Sequence, residues 1–257
     1  MTARKERDGV LYLVLDRPAA LNAINEEILD ELESICQEVE DRSDIRALVV
    51  TGVGEVFSVG MDLACLERGF ADHAFFRAFL ERYHGILLRL EHLPVPTVAT
   101  VNGLTRAGGF ELLLACDLAV CANEARISDN HTQFGVIPGG GATLRAPRRL
   151  GMQRAKDLIL TARWIDGPEA ERMGLVLRSV PRADLTATVE ELVAQFRVKS
   201  RDCLAAAKSA LDDASATSVE RGVQIELAAF FSYLDGSPDS SEGFRAYRER
   251  RPPIWRS

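Results

Sequence analysis

Two glycine-containing segments, residues 57–62 and 107–111, carry the groups most suited to chemistry. Glycine lets a backbone approach a ligand closely, and Gly108 stands at the start of a predicted short helix, where free N–H groups favour an anion. Glu111 lies three residues further on, about one helical turn, so it faces the same region. Its neighbours are Phe110 and three leucines, so we expect burial to raise its pKa into a range useful for proton transfer.

The segments that position these residues are short apolar runs, typical of buried strands, and stretches with apolar residues at three- and four-residue spacing, typical of helices. Asn25 is the predicted N-cap of the first helix. Strands and helices alternate in the first half, which predicts an α/β fold with mostly parallel pairing. The predicted strands are 10–15, 47–51, 97–101, 118–121, 125–128 and 176–180, and the first helices are 22–39, 72–93 and 108–116.

The second half is richer in helices. Residues 135–141 contain four glycines and one proline and predict a loop. No low-complexity linker divides the chain, so we expect a single domain over residues 1–257, with a helical C-terminal portion. The predicted helices beyond the loop are 143–150, 152–162, 168–173, 184–199, 202–214, 218–233 and 241–250.

Composition restricts the class of protein. The 257 residues are 47% hydrophobic, which suffices for one sizeable core. A formal net charge of -7 argues against a nucleic-acid partner, because such binders usually carry a basic stripe. Five scattered cysteines without a CxxC pair predict neither a disulfide framework nor structural zinc, and the four histidines lack metal-ligand spacing. No metal site is expected.

The sequence also shows no pattern typical of a signal peptide or a membrane span. The first residues form no apolar signal segment, and no uninterrupted apolar stretch reaches the ~18 residues of a membrane span. The sequence therefore predicts a cytoplasmic protein without a membrane partner.

Four stretches occur in a specific order: residues 16–23 (DRPAALNA), 57–63 (FSVGMDL), 99–117 (ATVNG, then GGFEL and CD) and 134–141 (FGVIPGGG). In this order they closely resemble the enoyl-CoA hydratase/isomerase (crotonase) superfamily. Together with residues 175–176 and 242–244, the resemblance covers almost the whole chain. It is specific for the superfamily but not for one reaction.

The resemblance implies a crotonase-like spiral of ββα units over about residues 1–195, followed by a helical trimerisation region over about residues 196–257. It also implies homotrimers, often paired into hexamers, and an acyl-CoA substrate. No cofactor is implied beyond the coenzyme A that forms part of the substrate.

The family pattern further implies an oxyanion hole made by the N–H groups of Met61 and Gly108, with Glu111 as acid/base. Each such donor contributes on the order of 3–4 kcal/mol when it is aimed at charge developing in a dry site. The matching CoA-binding positions are Ala20, Leu21, Ser58, Val59, Asp62, Tyr247 and Arg250.

The pattern departs from the family at His131, which stands where hydratases carry a second glutamate. Asp129 and Asn130 are polar neighbours but are out of register. Histidine is chemically suited to proton transfer, since its ordinary pKa is about 6.5. His131 is therefore either a catalytic helper or a hydrogen-bonding residue of the pocket wall.

An aromatic stripe ahead of the third strand has two interpretations. At helical spacing it is more typical of plain core, but the same side chains are candidates for an acyl tunnel. They are Leu66, Phe70, Phe75, Phe76 and Phe79.

The leading hypothesis is a hydratase-like lyase that adds water to an enoyl-CoA, or runs the reverse dehydration, through a stabilised enolate. A malonyl-type decarboxylase is the main alternative, because loss of CO₂ forms the enolate without a second base. Isomerisation is less expected, since simple isomerases of the superfamily rely mainly on the glutamate replaced by His131. A non-catalytic acyl-CoA-binding protein is the third hypothesis, and the presence of Glu111 weighs against it.

Overall fold

Across residues 2–215 and 217–257, which the computed structural model describes, ten strands form two sheets. The larger sheet has six strands in the order β1-β2-β3-β5-β7-β10, and the smaller has the order β4-β6-β8-β9. The strands are β1 (Thr2–Arg7), β2 (Val10–Leu15), β3 (Ala47–Gly52), β4 (Val56–Ser58), β5 (Thr97–Val101), β6 (Leu104–Arg106), β7 (Leu118–Ala122), β8 (Arg126–Ser128), β9 (Ile165–Asp166) and β10 (Arg178–Val180).

From β3 to β8, successive strands alternate between the two sheets. β3, β5 and β7 lie side by side in the larger sheet, and β4, β6 and β8, which follow them in the chain, lie side by side in the smaller one. All pairings among these six strands are parallel, as the alternation of strands and helices predicted. Each repeat thus adds one strand to each sheet, which is the ββα arrangement that the resemblance implied.

Helices connect and cover the sheets. The N-cap prediction is confirmed, because Asn25 Oδ1 accepts from the N–H of Ile28 at 3.1 Å. The helices are α1 (Glu26–Asp41), α2 (Leu63–Ala71), α3 (His73–Glu91), α4 (Gly108–Ala115), α5 (Ala142–Leu150), α6 (Met152–Thr161), α7 (Gly167–Met173), α8 (Leu185–Arg197), α9 (Arg201–Ser215), α10 (Val219–Gly236) and α11 (Glu242–Glu249).

The central strands of the larger sheet are buried on both faces. Leu48 and Val50 of β3 point into the main core, while Val49 between them joins a second core beneath α8. Val189 and Val193 of α8 cover this second face. Burial of both faces explains why the central strands are continuous apolar runs without polar alternation.

The sequence missed several elements. β1 was not predicted because its residues are mainly charged or exposed, as is usual for a strand at the edge of a sheet. β4 and β6 are three residues long, too short for a periodicity to emerge, and the sequence pattern predicts no element over the residues of α2. The strand predicted at 176–180 is shortened to Arg178–Val180.

The helical C-terminal region is confirmed. α9 and α10 pack against each other, and no residue of α9 and only Gly222 of α10 is buried among the described residues. Large apolar side chains remain exposed on these two helices, namely Leu211, Val219, Val223, Leu227, Phe230, Phe231 and Leu234.

Within residues 2–215 and 217–257, no helix combines the length and the apolar character needed to span a bilayer.

Candidate active site

A cavity of about 250 Å³ lies between α2 and α3 on one side and the segment from β6 into α4 on the other. Its lining is mostly apolar. Four of the residues singled out from the sequence for chemistry line it together: Met61, Gly108, Glu111 and His131. The cavity therefore brings both halves of the expected oxyanion hole and two groups able to transfer protons to one space.

The two expected oxyanion donors lie against each other. Gly60, with φ of +87°, brings its backbone so close to α4 that an added Cβ would lie 2.5 Å from Gly108 N. A Cβ on Gly108 would lie 3.5 Å from Met61 N. Ile24 pairs with the residues flanking Met61, donating to Gly60 O at 2.7 Å and accepting from Asp62 N at 2.9 Å. Among the described residues, neither Met61 N nor Gly108 N has an acceptor of its own, so both remain free for a ligand.

Buried hydrogen bonds hold the first donor segment in place. Ser58 Oγ donates to Asn22 O at 2.8 Å and accepts from Gly60 N at 3.2 Å. Asn22 in turn donates to Val56 O at 2.7 Å. An added Cβ on Gly109 would lie 2.2 Å from Ser58 O, so only glycine permits this contact. The segment is thus rigid before any ligand arrives.

The segment that carries the second donor, Gly108, begins at a strained residue, Ala107. Ala107 has φ of 49° and ψ of -122°, an unusual conformation for a residue with a Cβ, and offers α4 no side-chain cap. The N–H of Ala107 donates to Asp129 O at 2.9 Å, and Tyr83 donates its hydroxyl proton to Gly108 O at 2.6 Å. These bonds fix Gly108 so that its N–H joins the free N–H groups of the first turn.

Glu111 is 2% exposed, as its apolar sequence neighbours predicted. Its Oε1 accepts from Gly140 N at 2.7 Å and from Ala142 N at 3.2 Å. Burial raises the pKa of Glu111, while the charge of His131 and the two backbone bonds oppose that rise. No donor among the described residues contacts Oε2, which leaves that oxygen for proton exchange.

The loop predicted from the glycines of residues 135–141 orients Glu111 and is held by hydrogen bonds and an ion pair. An added Cβ on Gly140 would lie 2.2 Å from Glu111 Oε2, so a side chain cannot be accommodated there. The buried Arg145 donates to Gly140 O at 3.1 Å and pairs with Glu91 at 2.7 Å. This ion pair anchors the loop to α3.

His131 is paired with a buried carboxylate. Its Nδ1 lies 3.1 Å from Asp129 Oδ1, and Asp129 is fully buried with no partner for Oδ2 within the described part of the chain. Burial alone lowers the pKa of His131, but the bond and charge of Asp129 and the charge of Glu111 outweigh it, so the pKa is raised. An imidazole held through Nδ1 keeps Nε2 available.

The predicted CoA-binding residues divide into groups. Val59 lines the cavity, whereas Ser58 is 0% exposed and lies behind it, so the structure gives Ser58 a bracing role in place of the expected ligand contact. Asp62 pairs with Arg17 at 2.9 Å and caps α2.

The remaining four predicted contacts are outside the cavity. Ala20 is half-buried and Leu21 is 43% exposed, both in the short turn that follows β2. Tyr247 is 81% exposed, and Arg250 ends α11 at the surface. Their contacts with coenzyme A stay predictions.

The aromatic stripe also divides. Leu66, Phe76 and Phe79 line the cavity. Phe70 is 56% exposed and packs edge-on against Phe76, and Phe75 packs against the main core. Part of the stripe thus lines the cavity and part belongs to the core, and a role in an acyl tunnel stays a prediction.

Sequence reasoning missed three residues of the site. Asp129 was set aside as out of register, yet it holds His131, and the Asp-x-His spacing was the available signal. Tyr83 and Arg106 also line the cavity, and the sequence pattern predicts a role at the site for neither of them. Neither carried a motif of its own.

Comparison with known proteins places the chain in a family. The family model described as Enoyl-CoA hydratase/isomerase matches residues 5–257. The chain is 35% identical to the probable enoyl-CoA hydratase echA8 of Mycobacterium tuberculosis over 98% of its own length and 96% of that protein. It is 34% identical to the enoyl-CoA isomerase/hydratase fer4 of Mycosarcoma maydis, covering 97% and 93% of the two chains.

The fold agrees. A crystal structure of an enoyl-CoA hydratase from Bacillus anthracis superposes with a TM-score of 0.93 at 30% identity, covering 99% of this chain and 98% of that one. The protein therefore belongs to the enoyl-CoA hydratase/isomerase (crotonase) family and is an enzyme of acyl-CoA processing of that type.

Among residues 2–215 and 217–257, no group of three or more His, Cys, Asp or Glu side chains is placed to hold a metal ion.

Proposed function

We propose that the protein hydrates the double bond of a 2-enoyl-CoA thioester, or runs the reverse dehydration. The observation that carries this proposal is the presence of two proton-transfer groups, Glu111 and His131, on the walls of the cavity that also contains the unbonded N–H groups of Met61 and Gly108. Adding water requires one group to take a proton from it and another proton for the α-carbon.

The proposed mechanism begins with the thioester oxygen between the N–H groups of Met61 and Gly108. Glu111 accepts a proton through Oε2 from the water that attacks the β-carbon. The electrons of the double bond move to the thioester oxygen, where the two N–H groups stabilise the enolate. His131, as imidazolium, then gives a proton to the α-carbon. Solvent returns a proton to His131 and removes one from Glu111.

The raised pKa of each group supports these roles. A raised pKa makes Glu111 a stronger base than an exposed carboxylate, and a raised pKa keeps His131 protonated closer to neutral pH. Asp129 stabilises the imidazolium that this assignment requires. His131 with Asp129 thus takes the place of the second glutamate.

The proposal also includes the oligomeric state, the location and the cofactor requirement of the enzyme. The exposed apolar side chains of α9 and α10 form a surface suited to a homotrimer or to trimers paired as hexamers. We infer that the enzyme works in the cytoplasm and needs no cofactor besides the coenzyme A of its substrate.

The test is a thioester panel with mass spectrometry of the products. Enoyl-CoA substrates should gain one water, and 3-hydroxyacyl-CoA substrates should lose one. Loss of CO₂ from malonyl-type thioesters without hydration would instead assign decarboxylation. A shifted double bond at unchanged mass would assign isomerisation. Binding without turnover on the whole panel would assign a non-catalytic acyl-CoA-binding protein.

A further inference from the structure

The cavity contains a cation that no other part of the described chain neutralises. Arg106 ends β6, lines the cavity and is partly buried. Its guanidinium lies 5.9 Å from the centre of the Phe134 ring. Within residues 2–215 and 217–257, it makes neither an ion pair nor a hydrogen bond.

The other titratable groups lining the cavity all have partners. Glu111 accepts from two backbone N–H groups, His131 is bonded to Asp129, and Tyr83 donates to Gly108 O. Arg106 has five N–H donors, and none of them meets an acceptor within the described part of the chain. The unmatched donors point to an acceptor that arrives with the ligand.

The position of Arg106 places this charge next to the reacting end of the cavity. Arg106 precedes Gly108 by two residues, and its strand pairs it with Ser128, shortly before His131. Phe134, beneath the guanidinium, belongs to the segment that follows His131. The charge therefore lies on the His131 side, among side chains that otherwise offer mainly apolar contact.

We propose that Arg106 binds a carboxylate carried by the acyl group, so that the substrates of this enzyme are thioesters of dicarboxylic acids. A guanidinium matches a carboxylate with two parallel hydrogen bonds, which a neutral acyl chain cannot use. The proposal rests on the proposed function only in taking an acyl-CoA as the ligand. It adds the chemical class of the acyl group.

The same contact bears on which reaction follows. An ion pair with Arg106 stabilises the carboxylate of the bound substrate and therefore opposes its loss as CO₂. The carboxylate recognised by Arg106 is thus one that remains in the product.

The test measures dissociation constants by calorimetry, using saturated thioesters that cannot be hydrated. Succinyl-, glutaryl- and adipyl-CoA are compared with hexanoyl-CoA on the full chain. The intact protein should bind at least one of the three more tightly than hexanoyl-CoA. Arg106→Leu should reduce that preference by about tenfold to a hundredfold, the range for a charged hydrogen bond. Arg106→Lys should retain part of that preference, because lysine keeps the positive charge but cannot form two parallel hydrogen bonds to a carboxylate.

Arg126→Leu is the matched control. Arg126 also lies over an aromatic ring, that of Trp164 at 4.9 Å, but it is exposed on β8 outside the cavity. The preference for a dicarboxylic thioester should survive this substitution. Circular dichroism of all variants checks that they fold, and Arg106→Gln replaces Arg106→Leu if the latter does not.

Two results would overturn the proposal. The first is an intact protein that prefers hexanoyl-CoA to all three dicarboxylic thioesters. The second is an Arg106 substitution that weakens neutral and dicarboxylic thioesters equally, which would assign the guanidinium to a phosphate of coenzyme A. Because binding is measured without turnover, failure of the proposed hydration leaves both results interpretable.

Discussion

The cavity wall that carries Met61 and Gly108 is buried and tied to the sheets by short hydrogen bonds, whereas the wall that follows His131 exposes large apolar side chains. Ser58, which lies behind the first wall, is 0% exposed, while Phe134 and Ile137 on the second wall are 68% and 80% exposed. The first wall holds backbone donors, and the second presents side chains.

This difference separates two tasks. Stabilising a developing oxyanion requires donors that do not reorganise during the reaction, and the bonds of Ser58, Asn22 and Tyr83 supply that rigidity. Recognising the acyl group needs side-chain contacts that can vary without disturbing the donors. Substitutions on the two walls should therefore have separable effects on catalysis and on its pH dependence.

The first prediction concerns Glu111, which lies on the rigid wall. Glu111→Gln keeps an oxygen to accept from Gly140 N and Ala142 N but removes the base. We expect kcat to fall by about 10²- to 10⁴-fold, the usual contribution of acid–base catalysis. Steady-state kinetics on the best enoyl-CoA of the panel measures the loss. Glu27→Gln, an exposed glutamate of α1, is the control. A variant retaining half of the original activity would exclude Glu111 as the base.

The second prediction concerns Gly108→Ala, a substitution that places one methyl group in the oxyanion hole. In Gly108→Ala the Cβ lies 3.0 Å from Gly60 Cα and 3.5 Å from Met61 N, in the space between the two donors. We expect kcat/KM to fall by about 10²-fold, as when one oxyanion donor is lost.

Gly85→Ala is the matched control for this change. Gly85 is exposed within α3, and an added Cβ meets nothing within 4 Å. It should preserve activity and raise stability by about 0.5–1 kcal/mol, because alanine is the better helix former. Equal loss of activity in both variants would mean that the space beside Met61 is not used.

The rigid wall was also the more predictable one. Gly108 and Glu111 belong to one ordered motif, and the apolar neighbours of Glu111 correctly predicted its burial. The parallel strands were predictable because burial on both faces leaves an uninterrupted apolar run.

The second wall was less predictable because its groups meet through tertiary packing. The Asp-x-His spacing is the one sequence signal for Asp129 and His131, but it does not by itself predict a bond between their side chains, which the structure shows. Arg106 is one unremarkable basic residue in the sequence, and its missing partner is a property of the fold. The three-residue strand that carries it also gave no periodic signal.

The third prediction concerns His131. His131→Gln should lower kcat by about 10- to 100-fold, less than Glu111→Gln, since water can supply the second proton more easily than the base can be replaced. Activity should fall at alkaline pH in the original enzyme as the imidazolium loses its proton, above the ordinary histidine pKa because the pKa of His131 is raised. The pH profile of the His131→Gln variant should lack this alkaline limb.

The acid limb of the pH profile should move to higher pH in His131→Gln. The charge of His131 lowers the pKa of Glu111, so its removal lets that pKa rise and shifts the loss of activity at low pH to higher pH. Profiles of kcat/KM against pH measure both limbs. His73→Gln, an exposed histidine at the start of α3, should leave the profile unchanged. An unaltered alkaline limb in His131→Gln would assign that limb to another group.

The smallest predicted effect concerns Asp129, which acts through His131. Asp129→Asn keeps an oxygen for the bond from Nδ1 but removes the charge that raises the pKa of His131. The alkaline limb should therefore move to lower pH, with only a several-fold loss of kcat at the optimum. In the His131→Gln background the same substitution should shift no alkaline limb, because its target is gone. A residue that only supported the fold would lower the melting temperature and leave that limb in place.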